Sequence, residues 1–225
     1  MEERFNQIIA SLSKRASLKQ LIYRNTVAIF SRLREQARLL AIRLDTEMKA
    51  TDPNVPIEFE NGTEFEFNLK VSGDLLICSM HTNVVTFPSD HLLFGNPFIM
   101  ENPFRAFFGQ IMIYNFTADS VKYNRMNDEG YLLSRFLVNA ENCFFVEGMG
   151  VIEMNHPDIS KNQITDEILL DFLECNALVA IQTDLQAANF ADLQVISLAE
   201  KAANTLPGAI QKVGFQMKLQ DQSPI

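Results

Sequence analysis

Between Pro56 and Leu76 the chain reads PIEFENGTEFEFNLKVSGDLL, with apolar and polar side chains taking turns. Ile57, Phe59, Phe65, Phe67, Leu69 and Val71 share one parity, and Glu58, Glu60, Glu64, Glu66 and Lys70 fill the other. Successive side chains of an extended chain point to opposite faces, so one row meets a core and the other meets water. That is the pattern of a half-buried antiparallel sheet. Asn61-Gly62 offers the positive-φ pair of a two-residue hairpin turn, and Ser72-Gly73-Asp74 marks the next reversal. A meander near the middle of the chain follows, and the segments on either side must cover its apolar face.

The preceding segment is helical. Phe5, Ile8, Ile9 and Leu12 lie at helical spacing, and Ser17 with Gln20 fits a capping box that starts a new helix at Leu18. No Gly or Pro interrupts residues 18–49. The stripe Leu18/Ile22, Ile29/Leu33 and Leu40/Leu44 repeats every eleven residues, which keeps it on one side of a nearly straight helix. Val27, Phe30 and Ile42 fall off that stripe and predict a second contact surface.

After the meander, residues 75–87 read as one bent strand or a short hairpin. Residues 88–108, PSDHLLFGNPFIMENPFRAFF, repeat Asn-Pro-Phe and carry five Phe. Each proline disfavours helical geometry in the residue before it, which predicts a structured loop. Strands follow at residues 110–117, 131–138 and 143–147. Ser160 with Gln163 fits another capping box, ahead of a helical face through Ile164, Ile168, Phe172, Cys175 and Val179. A further helix over 191–204 and a last strand near 213–219 complete the chain. Gly148-Met149-Gly150 and His156-Pro157 fall in the crossover between sheet and helices.

The expected fold is therefore α+β, one domain over residues 1–225. It has a helical arm at 1–50, an antiparallel meander of six or seven strands at 55–148, helices at 160–206 and a final strand at 212–220. The chain is long enough to bury a sizeable core, and 18 Phe with no Trp suit a dry one.

The net charge of −9 hides a segregation: residues 1–50 carry ten Lys and Arg against five acids, and the rest carry nine against 23. An acidic chain is a poor nucleic-acid ligand, so only the basic N-terminal helix is a candidate for that role. Cys78, Cys143 and Cys175 are odd in number and widely spaced, which predicts free thiols in a reducing cytoplasm. The N-terminus lacks the apolar run of a signal peptide, and no stretch approaches the ~20 apolar residues of a membrane span.

Chemistry is thinly represented. The three histidines, His81, His91 and His156, include no pair at ligand spacing, and no phosphate-loop, dinucleotide or serine-elbow motif occurs. Nothing calls for a cofactor or a metal. Asp90-His91 with His81 is the weak candidate for acid–base work, although adjacent residues on an extended chain point apart.

The reading that best fits these observations is a non-catalytic cytoplasmic binding or scaffold protein. It would self-associate through helix 18–49, with Val27, Phe30, Ile42, Phe98 and Phe104 as contact candidates. The alternatives are an enzyme or small-ligand receptor with a pocket between the sheet and loop 88–108, and anion or nucleic-acid binding by the N-terminal helix.

Overall fold

The structure, a computed structural model, describes residues 2–126, 128–148, 159–161, 163–186, 189–199 and 216–219. The alternating segment forms the first strands of a six-stranded sheet whose order follows the sequence: β1 (Ile57–Thr63), β2 (Glu66–Val71), β3 (Asp74–Val85), β4 (Phe108–Thr117), β5 (Tyr131–Val138) and β6 (Phe144–Gly148). Every neighbouring pair is antiparallel. With helices at both ends of the chain this is the expected α+β fold.

The inner face of the sheet is covered by α2 (Ser17–Thr51) and by the C-terminal helix Asp166–Ile181, which also pack on each other. Phe67, Leu69, Leu76, Cys78, Ile111, Ile113, Phe136 and Val146 meet Ile29, Phe30, Leu33 and Leu40 of α2, and Phe172 and Leu173 of the later helix. Each of the large side chains buried there contributes roughly 1.5–3 kcal/mol. Phe136 stacks on Phe144 at 4.7 Å and meets the edge of Phe172 at 5.1 Å. At one point the helix comes very close to the sheet: a Cβ added to Gly109 would lie 1.9 Å from Thr26 Oγ1. Only glycine permits that approach.

Residues 86–107 fold back over the outer face and enclose a second core of Leu93, Ile99, Ala106, Phe108, Leu137, Cys143 and Ile159, flanked by Phe87, Phe94, Phe98 and Phe145. The expected loop contains short helical turns, Leu92–Gly95, Pro97–Glu101 and Pro103–Ala106. The prolines explain them. Asn96 and Asn102 stay extended, as a residue before proline should, while each proline sits at the first helical position, where its missing N–H costs nothing. The Asn side chains then accept from the backbone N–H of Phe98 and Phe104 as N-caps.

Several expected boundaries move. The first hairpin reverses at Glu64-Phe65, because pairing continues to Thr63↔Glu66; Asn61-Gly62 instead forms a bulge, with Gly62 at φ +57°. Tertiary contacts account for the shift. Arg34 donates to the carbonyls of Thr63 and Glu64 at 2.6 and 2.9 Å, and Phe65 packs on the main core. The second reversal falls at Ser72-Gly73, with Ser72 at φ 58°, as expected. Residues 74–85 form one strand with an irregularity between His81 and Val85.

Ser17 is no cap, and α2 does not start as a separate helix. Its backbone is helical and its N–H donates to Leu12 O, closing a five-residue π-turn (Leu12–Ala16) that joins α1 (Glu2–Ser11) to α2 without a break. The later helix is capped by Thr165, whose hydroxyl accepts from Ile168 N; Ser160 lies in the short turn Ile159–Lys161. A bridge between Cys143 and Gln163 marks extended pairing that separates the two.

Beyond it, β7 (Thr183–Gln186) pairs antiparallel with β8 (Gln216–Leu219), which realises part of the expected final strand. Of the expected helix over 191–204, the described residues form a turn at Phe190–Leu193, a non-helical stretch at 194–197 and helical backbone again at 198–199. Residues 200–204, the 149–150 pair of the glycine motif and His156-Pro157 lie outside the described residues.

Candidate functional site

The second contact surface expected on α2 is largely consumed within the chain. Phe30 is 2% exposed and packs on Phe67 at 5.3 Å, so it faces its own core and not a partner. Val27 is half-buried against the same core. Ile42 alone of the three is open, at 53%, with Leu39 exposed nearby. Geometry explains the misreading: α2 is gripped by the sheet on one side and by the C-terminal helix on another, and two contacts need a broader apolar face than one stripe.

Four of the seven cations of α2 are similarly engaged. Arg32 pairs with Asp166, Arg38 with Glu35 and Lys49 with Asp45, while Arg34 holds the first hairpin turn. Exposed pairs of this kind contribute little stability. They do occupy four of the charges that a polyanion would need.

The unclaimed apolar surface lies further toward the N-terminus. α1 has no buried residue, and Phe5, Ile8, Ile9 and Leu12 are all exposed. The π-turn sets the direction in which they face. One extra residue in a helical turn shifts the phase of what precedes it by roughly 100°, the step of one α-helical residue. The stripe of α1 is thereby turned away from the core-facing stripe that continues through Ile22, Ile29 and Leu33.

Beside the π-turn lies a groove of about 630 Å³, lined by Ile8, Leu12, Ala16 and Leu18 on the helix side and by Phe104 and Phe107 of the loop. Arg4, Arg15 and Lys19 stand around it, and no acidic side chain is among the described residues that line it. Lys14 Nζ sits 5.0 Å from the centre of the Phe104 ring, which stacks on Phe107. Of the two phenylalanines singled out in the sequence, Phe104 therefore belongs to the groove. Phe98 lies in the second core beneath Arg105, whose guanidinium is 4.0 Å from the ring centre and pairs with Glu101 and Glu141. The groove sits between the N-terminal helix and the loop, not between sheet and loop.

The titratable candidates have structural employment. His91 stacks on Phe87 at 4.1 Å, accepts from Leu93 N at Nδ1, and brings Nε2 to 3.5 Å from Glu147 Oε1. Glu147 also pairs with Arg135 across β5 and β6. With both ring nitrogens engaged, His91 has no free lone pair to offer as a base. His81 Nδ1 accepts from Asn83 N, and Asp90 is exposed. No hydrogen bond or ion pair links Asp90 to either histidine among the described residues. Nothing local to His91 marks Glu147 and Arg135 as its partners, because their pairing is a cross-strand register.

Cys78 and Cys143 are buried and free, and burial pushes both thiols above their ordinary range; Cys175 is half-exposed, and its thiol donates to Asp171. Among the described residues, no group of three or more His, Cys, Asp or Glu side chains is placed to hold a metal ion, and no helix is long and apolar enough to cross a membrane.

Comparison with protein-family models, with curated proteins and with solved structures finds no match for this chain.

Proposed function

We propose that this is a binding or scaffold protein without chemistry of its own, acting through protein–protein contacts and self-associating through its N-terminal helix. One observation carries the reading: a ten-residue helix with no buried residue bears three large exposed apolar side chains, Phe5, Ile8 and Ile9, and Leu12 beside it is a fourth. Each exposed side chain of this size forgoes roughly 1.5–3 kcal/mol of burial. A second copy that covers Phe5 and Ile9 supplies both the missing burial and the missing neighbour. The contact surface thus moves from residues 18–49 to the start of the same helix, since Phe30 and Val27 are engaged in the core.

Light scattering on the purified chain tests this. The expected mass is that of an oligomer at tens of micromolar, falling to the monomer in Phe5→Asp/Ile9→Asp. A monomeric mass for the unaltered chain removes self-association from the reading.

A further inference from the structure

We infer that the groove between residues 4–19 and Phe104/Phe107 receives an acidic amphipathic helix of another protein, apolar face inward. The inference rests on the proposal that the chain works by protein contact, but it uses a different face of the helix. Phe5 and Ile9 are not among the groove-lining residues; Ile8 and Leu12 are.

Three features select this occupant. The lining is apolar along its length, through Ile8, Leu12, Leu18 and the two stacked phenylalanines. Its charged rim is wholly cationic, against the sign of a chain whose net charge is −9. The charges are also spread along it, with Arg4 toward one end and Arg15 and Lys19 toward the other. A fatty acid has one carboxylate at one tip and would leave the cations of the far end unmatched.

The helix-side lining runs from Arg4 to Lys19, fifteen residue steps or about 22 Å. A partner helix of about four turns matches that length. It would present anchors at i, i+3, i+4 and i+7 to the groove and carboxylates along its flanks. The π-turn contributes directly, because Leu12, Arg15 and Ala16 belong to it and line the groove.

The test uses the full chain and a fluorescent synthetic peptide of about 15 residues, with Leu at the anchor positions and Glu on both flanks. Controls are the same composition scrambled and the same helix with Lys replacing Glu. The acidic helix should bind at least about tenfold more tightly than either, and weaken as salt is raised. Arg15→Glu/Lys19→Glu, both at exposed positions, should invert the preference toward the Lys peptide, while Leu12→Asp should abolish binding of both. Circular dichroism confirms that each variant is folded.

Equal binding of acidic and scrambled peptides, or a preference untouched by the charge swap, overturns the inference. So does dodecanoate binding with no binding of the acidic peptide, which assigns the groove to a small amphipath. Loss of self-association in Leu12→Asp together with no binding of the acidic peptide by the unaltered chain also overturns it, and assigns the groove to a second copy. The two proposals fail separately: a monomer that binds the acidic peptide loses only self-association, and an oligomer that ignores the peptide loses only the groove.

Discussion

α1 and α2 are two halves of one helix, about 75 Å long in all at 1.5 Å per residue. They carry the same kind of apolar stripe and come to opposite ends. α2 buries eight residues against the sheet and the C-terminal helix; α1 buries none. The difference lies opposite the helix and not within it. The meander offers α2 an apolar face of Phe67, Leu69, Leu76 and Ile111, and among the described residues nothing covers the stripe of α1. Amphipathic periodicity reports that a helix wants a partner and does not say whether its own chain supplies one.

The contrast should appear first in stability. Phe67→Ala, beneath Phe30 and Phe59, should cost about 3–5 kcal/mol in chemical denaturation. Ile9→Ala in a monomeric background should change stability by less than about 0.5 kcal/mol. A large loss from Ile9→Ala would mean that α1 is packed after all and would erase the distinction.

A smaller effect probes how tightly α2 is held. Gly109→Ala should destabilise the fold by about 1–3 kcal/mol through overpacking against Thr26, with part of the loss restored by Thr26→Ala. Simple additivity in that double-mutant cycle would show that the helix is free to shift away.

Thiol labelling of the native chain should be fast at Cys175 and slow at Cys78 and Cys143, which are buried with thiols held above their ordinary range. Equal rates at all three would show that the core opens more readily than the packing implies.

The smallest expected effect is a pH dependence at the sheet. Burial raises the carboxyl of Asp74, against a lowering by the Asn115 amide that donates to it at 2.8 Å. A carboxyl raised on folding favours the fold most when protonated, and this contribution is lost as pH rises through the folded value. Asp74→Asn should therefore gain on the unaltered chain at neutral pH, and the gap should close as pH falls into the carboxylate range. Denaturation midpoints at several pH values check the sign, and a gap that widens in acid would refute it.

The sheet was legible because alternation of Phe and Glu is a local signal, and one register satisfies it. The stripe of α2 was legible for the same reason. What escaped depends on residues far apart in sequence. The reversal at Glu64-Phe65 is set by Arg34, thirty residues away from Glu64, and overrides a good local turn at Asn61-Gly62. The burial of Phe30 depends on Phe67. The π-turn has no signature in Leu12–Ala16 beyond an ordinary helical composition, so the continuity of α1 with α2 could not be read. Phe104 was visible as a candidate, but its cationic neighbours lie on another element. The Lys14 contact exists only because the loop returns to the helix.

The π-turn also sets what kind of change this protein tolerates. Along Leu12–Ala16 the bearing of everything upstream is fixed by how these five residues wind. Substitutions that keep the wide turn should leave that bearing unchanged, even where they remove contacts in the groove. Loss of one residue should be absorbed, because a π-turn holds one extra residue within a single rotation and its removal lets an ordinary α-helical turn close with Ile8 and Arg4 facing as before. Rewinding the same five residues as α-helix with none lost would instead swing Ile8 and the Arg4 charge through roughly 100°. The chain would keep every apolar and basic side chain it uses and present them on the wrong side. The wide turn is thus a rotary setting, able to redirect the helix without touching the core that α2 builds below it.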